Sequence, residues 1–236
     1  MLTTATRGGR LRMPFLPTLG LTTVYIGHFA AAAVILAVAP ETPALPIAVA
    51  VAWPDIVWPA LVFAGKESVK VDRNNPLQSR VKFTSYPYSH SLVLGGALSI
   101  VPALLAGLIY QSVLVGVLFW VGVLSHWLLD AVVHLRDLPV LGWGRNDRRV
   151  GFGLWARPRL AFVLEYAFFA LTVLLVAPPS MFVGLLGGGL LLHLFNINSF
   201  FGFTKKNPVG TPKRFALLAL VGYVIAIIWF TMSWQT

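Results

Sequence analysis

The chain alternates between long apolar runs and short polar connections, and this constrains its fold before any motif is considered. An apolar stretch of roughly 20 residues can cross a bilayer, and in hydrocarbon its backbone must satisfy its own hydrogen bonds, which a helix does. Seven such runs are present, at about 19–39, 44–64, 87–110, 112–135, 160–177, 181–203 and 215–232. The expected fold is all-α: a polytopic membrane helix bundle of about seven transmembrane helices, forming a single integral membrane domain over residues 1–236. At 57% hydrophobic and 11% charged residues, with a mean hydropathy of 0.78, the composition lies outside the range of ordinary soluble domains. The first run follows Arg7, Arg10 and Arg12 and ends in AVA before Pro40, an outline shared with signal peptides. Its length and its internal His28 favour a membrane span.

The net charge of +10 would suggest nucleic acid in a soluble protein, but its distribution says otherwise. Three Lys or Arg precede the first run, five lie between the second and third, six between the fourth and fifth, and four between the sixth and seventh, accounting for all 18. The remaining connections and the C-terminus carry none. The positive-inside rule then predicts a cytoplasmic N-terminus, an external C-terminus and an odd number of crossings. The charge is topological, no nucleic-acid partner is expected, and inner-leaflet lipid headgroups are the electrostatic partner.

Within this apolar background, SHWLLDAVVH places His126, Asp130 and His134 at intervals of one helical turn, so the three share one face. The predicted orientation puts His134 and His90 near the cytoplasmic surface. Asp130 and His126 lie one and two turns deeper, and His28, Asp55 and Glu165 lie in the cytoplasmic half or near the midplane. Ionisable groups in a bilayer are costly unless paired or metal-bound, so their concentration at one level predicts a shared site. Any one of them alone is read more simply as a hydrogen-bonding residue between helices. That reading suffices for His193, Asn196 and Asn198. Imidazole and carboxylate suit zinc, iron or manganese, and His28, Asp55 and His90 can add ligands to the helical ladder, enough for more than one metal. Without cysteine, disulfides and thiolate metal sites are excluded.

WPDIVWP sets Asp55 between Pro54 and Pro59 and predicts a kink there. Trp229 and Trp234, near the end of the last run, are expected as interfacial anchors. The stretches 65–87 and 136–159 read as polar, basic loops, the second rich in glycine.

In order along the chain, His28, PDIVWP with Asp55, YSHSL with His90, and SHWLLD with His126 and Asp130 resemble the YdjM-like family of predicted membrane-bound metal-dependent hydrolases. HLRDLPV, GFGLW and the helical Glu165 resemble a bacterial subgroup of it, and the likeness covers about residues 20–170. The chain departs from the pattern at GRNDRRV and at Ala156. The resemblance implies a distant relation to zinc phospholipase C. It implies a metal site drawn from His28, Asp55, His90, His126, Asp130, His134 and Glu165, one to three divalent ions, most simply zinc, and hydrolysis of a phosphoester or lipid headgroup at a bacterial inner (cytoplasmic) membrane. In that reaction Asp55 or Glu165 orients or deprotonates water, and Arg145, Arg148, Arg149 and Arg157 are available to an anionic group, unless they are plain positive-inside charge. Two alternatives use the same residues: a proton or metal transporter, and a non-catalytic subunit of a larger membrane complex that binds haem or pigment through paired histidines. The first would need polar residues continuing to the outer face, where the runs are almost wholly apolar.

Overall fold

The computed structural model describes residues 25–235; Arg7, Arg10, Arg12 and the start of the first apolar run lie outside the described residues. The fold is mostly helical, and four of the described helices are long and apolar enough to cross a membrane. These are α2 (Ala44–Phe63), α6 (Val113–Val133), α7 (Pro158–Val176) and α10 (Pro212–Trp234), each within a few residues of an expected run. Shorter apolar helices occupy the other three runs. They are α1 (Gly27–Val38), the pair α4 (Leu94–Leu98) and α5 (Ile100–Ile109), and a stretch from Pro179 that ends in α8 (Gly188–Phe195).

The third and sixth runs are not single helices. After α3 (Pro87–His90) the backbone becomes extended at Ser91, whose Oγ accepts from the Gly95 amide at 2.9 Å and caps the restart. In the sixth, a π-helical turn at Val183–Gly187 precedes α8, and α9 (Ile197–Phe201) follows. By contrast α2 is one helix through Pro54 and Pro59. The polar connections also hold a little sheet. β1 (Ser68–Lys70) pairs antiparallel with β2 (Lys82–Ser85), and β3 (Leu138–Pro139) pairs with β4 (Arg149–Val150).

The main apolar core brings together Phe29, Leu36, Ile47, Val51, Phe169, Tyr223 and Phe230, so α1, α2, α7 and α10 surround it. Trp229 is partly buried and packs against this core. Its indole N–H donates to the Gly184 carbonyl at 2.9 Å, and its ring meets Phe29 and Phe169 with centroids 5.9 Å away. Glycine makes that approach possible, since a Cβ at Gly188 would overlap the indole.

The α2–α6 contact positions the site. A Cβ at Gly122 would lie only 2.8 Å from that of Ala50, so the two helices pack almost backbone to backbone. One turn further along α6, His126 Nδ1 reaches the Val51 carbonyl of α2 at 2.7 Å. Beyond α6, the GFGLW segment folds back onto the helix end: Phe152 N–H donates to Ala131 and Gly153 N–H to His134, both at 2.8 Å. Gly151, with φ 149°, has no space for a side chain against the Leu135 carbonyl.

Candidate metal centre

Six of the seven expected residues converge. His28 comes from α1, Asp55 from α2, His90 from the end of α3, and His126 and Asp130 from α6, while His134 caps that helix. All are buried except Asp55, which is partly exposed. Each of these four histidines turns its Nε2 toward Asp130, and His90 and His126 also toward Asp55. Nε2 of His28 is 3.4 Å from Asp130 Oδ1, and those of His126, His134 and His90 lie 3.3, 3.7 and 3.8 Å from Asp130 Oδ2. His90 Nε2 is also 3.2 Å from Asp55 Oδ1, and His126 Nε2 is 3.6 Å from Asp55 Oδ2. The rings of His28 and His126 stack, with centroids 3.8 Å apart and planes 8° apart.

The opposite ring nitrogens fix which tautomer each imidazole adopts. A carbonyl only accepts, so His126 Nδ1 carries the proton it gives to Val51. Ser89 Oγ donates to Glu67 Oε2 at 2.6 Å, so at 2.7 Å it must accept from His90 Nδ1. His134 Nδ1 donates to Asp137 Oδ1 at 3.0 Å, and the Tyr86 hydroxyl lies 3.3 Å from the same nitrogen. In the neutral rings, Nε2 of His90, His126 and His134 is therefore a lone pair aimed at carboxylate oxygens. Acceptors facing acceptors at this range are repulsive unless a cation lies among them or Nε2 takes up a proton. Consistently, His28 Nδ1 and Nε2, His126 Nε2 and Asp130 Oδ2 are buried without a hydrogen-bond partner.

The donor set fits a divalent metal ion. Ligands about 2.0–2.2 Å from a tetrahedral metal are separated by edges of about 3.3–3.6 Å, close to the spacings found here. Two groups have their ligand atoms within 4.8 Å of one another, His28–His126–Asp130 and Asp55–His90–His126, with His126 common to both. Carboxylate, hydroxyl or carbonyl partners on the remote nitrogens are the outer support that metal-binding histidines require. Comparisons with family models, with curated proteins and with solved structures return no match. The chemistry of the site is therefore read from its own geometry.

Glu165 does not converge with the others. Its Oε1 accepts from the Gly27 amide at 3.3 Å, tying α7 to the first turn of α1 beside His28. Together they line a cavity of about 330 Å³ that also touches Leu129, Val132, Leu164 and Phe168. His193 is also separate: its Nε2 donates to the Phe162 carbonyl of α7 at 2.9 Å, the interhelical bond expected of it. Asn198 instead holds its own turn, accepting from the Thr204 amide at 3.1 Å. Of the four arginines, Arg149 donates to the Asp137 carbonyl at 2.7 Å, which places it beside the support of His134.

Sequence reasoning missed the supporting residues. Asp137, three positions after His134, and Ser89, next to His90, were visible as polar neighbours. Glu67 was not: the β1–β2 hairpin brings it to the start of α3, where Oε1 accepts from the Tyr88 and Ser89 amides at 2.7 and 2.9 Å. Burial pushes its carboxyl above the usual value, while the bonds from Ser89 and the nearby His90 oppose that shift. Tyr223 of α10, near Asp55, was also missed; its hydroxyl accepts from the Tyr25 amide at 3.3 Å.

Proposed function

We propose that the chain is a membrane-embedded, metal-dependent hydrolase of phosphoester or lipid-headgroup bonds. The observation that carries this reading is the set of histidine Nε2 atoms aimed at the Asp55 and Asp130 carboxylates from several helices. The resemblance of its motifs to the YdjM-like hydrolases supports it. In this reading the three shorter apolar helices complete seven crossings, the N-terminus is cytoplasmic and the C-terminus external, in a bacterial inner membrane. The preferred ion is zinc, which imidazole and carboxylate suit.

A divalent ion at the centre would supply Lewis acidity and a water acidified toward a pKa of about 7. The chain's own residues do the rest. His28, His126 and Asp130, or Asp55, His90 and His126, would hold the ion, since the one free Nε2 of His126 serves only one of the two groups. The Asp55 side chain is 16% exposed against 3% for Asp130, so Asp55 is the carboxylate placed to meet water and accept its proton. Val51, the Glu67–Ser89 pair and Asp137 hold the imidazoles with Nε2 inward. Glu165, fixed on Gly27, faces substrate from the cavity side and is the second candidate for proton transfer.

Purified protein should carry at least one equivalent of zinc or a similar ion, absent from His126→Ala, and should hydrolyse a member of a phosphoester and phospholipid panel in a metal-dependent way. Natively folded protein that binds no metal on reconstitution would end this reading.

A further inference from the structure

The cavity beside the centre has an unusual composition and an unusual position. Its outer wall is apolar, formed by Val132 of α6 and by Leu164 and Phe168 of α7, each between 44% and 46% exposed. Its inner end carries His28, whose Nε2 is 3.4 Å from Asp130, and Glu165. Both α6 and α7 have the length and apolarity of membrane spans, so side chains exposed on their outer faces meet hydrocarbon rather than water. Leu164 and Phe168 lie six and ten residues beyond Pro158, the start of α7, a depth of about 9–15 Å at about 1.5 Å per residue. With polar regions about 5–8 Å thick on either side of a core about 30 Å thick, that depth lies among the acyl chains. At about 330 Å³ the space is of the size that encloses part of a small molecule.

We infer that this groove between α6 and α7 receives one hydrocarbon chain of a bilayer lipid, whose polar head then sits at the His28 end, against the metal centre. The substrate class is thus an amphiphile entering sideways from the bilayer, not a soluble phosphoester arriving from the aqueous phase. The polarity gradient fixes the orientation of the occupant. A chain in the apolar part buries methylenes, and among the described lining residues the side chains able to bond a headgroup are those of Tyr25, His28 and Glu165. That the lipid is also the substrate rests on the hydrolase reading, whereas occupancy of the groove does not.

The test uses full-length protein in vesicles of phosphatidylethanolamine and phosphatidylglycerol, doped with phosphatidylglycerol bearing a diazirine on one acyl chain. After irradiation, adducts are mapped by peptide mass spectrometry and bound metal is measured on the same sample. Adducts should concentrate at Val132, Leu164 and Phe168, above those at Leu108 and Leu175, which are more exposed, at 74%, but lie outside the groove. Leu164→Trp, or independently Val132→Trp, fills the groove from a half-exposed position and should lower those adducts about tenfold while metal content stays unchanged. Labelling that simply follows exposure, or that neither tryptophan reduces, overturns the inference. Groove labelling in protein that binds no metal would leave the lipid site standing and remove its role as substrate. Metal binding with scattered labelling would do the reverse.

Discussion

His126 and His193 are both fully buried, and each bonds a backbone carbonyl of a neighbouring helix, through Nδ1 in one case and Nε2 in the other. Their other nitrogens meet opposite surroundings. His126 Nε2 faces two carboxylates and stands among three further imidazoles. His193 is stacked on Phe162 at 3.9 Å and near Tyr166 at 5.6 Å, and no carboxylate reaches it among the described contacts. A buried histidine between helices is thus a structural bond by default. It becomes a candidate ligand where carboxylates of its own helix and of another, here Asp130 and Asp55, converge on its free nitrogen.

The sharpest way to break this contrast is Asp130→Asn, which removes the carboxylate that four imidazoles share. Metal content should fall to background, and stability should drop by about 3–5 kcal/mol, as when one partner of a buried pair is lost; elemental analysis and denaturant unfolding measure the two. Metal removal comes next. A strong chelator should lower the unfolding free energy by about 2.7 kcal/mol relative to protein held at a free ion concentration of about 100 times Kd. Calorimetry should show the same loss in His193→Leu, since that histidine has no share in the ion.

Ser89→Ala leaves every ligand in place but cuts the Glu67–Ser89–His90 connection, so metal affinity should weaken about 10–100-fold in a competition titration. An unchanged affinity would show that His90 needs no such support. On the other side of the comparison, His193→Leu should cost about 1 kcal/mol through its one lost hydrogen bond, with full metal occupancy.

The smallest effect concerns pH. Because burial raises the folded-state value of the Glu67 carboxyl, the folded protein binds that proton more readily than the unfolded chain. The resulting stabilisation is complete below the unfolded value of about 4.3 and is lost as pH rises through the folded one. Thermal unfolding between those values should show this slope in the wild type and not in Glu67→Gln.

The extent to which the site was legible in the sequence follows the range of the interactions involved. The ladder of His126, Asp130 and His134 is local, set by helical period, and it is found as expected. The four long helices follow from uninterrupted apolar runs. The break at Ser91 was not legible, because it depends on one hydroxyl capping an amide four residues on within an otherwise helical composition. The partner of Glu165 was not legible either: the amide it bonds belongs to a residue 138 positions away. Glu67 reaches the site through a hairpin whose strands alternate too briefly to be noticed. The close contact of the Trp229 indole with Gly184 and Gly188 was not legible, because those glycines lie about 40 residues away.

The centre also has an order in time, because its members lie far apart along the chain. His28 precedes Asp130 by about a hundred residues, so at about 5–20 residues per second they are synthesised roughly 5–20 s apart. During that interval α1 and α2 must be accommodated without the residues that later enclose them. His28 comes before Asp55, and His126 before Asp130. Asp130 is therefore synthesised after His28, His90 and His126, which face it, whereas Asp55 precedes both imidazoles that face it, His90 and His126; neither carboxylate is the first ionisable group of the centre to leave the ribosome.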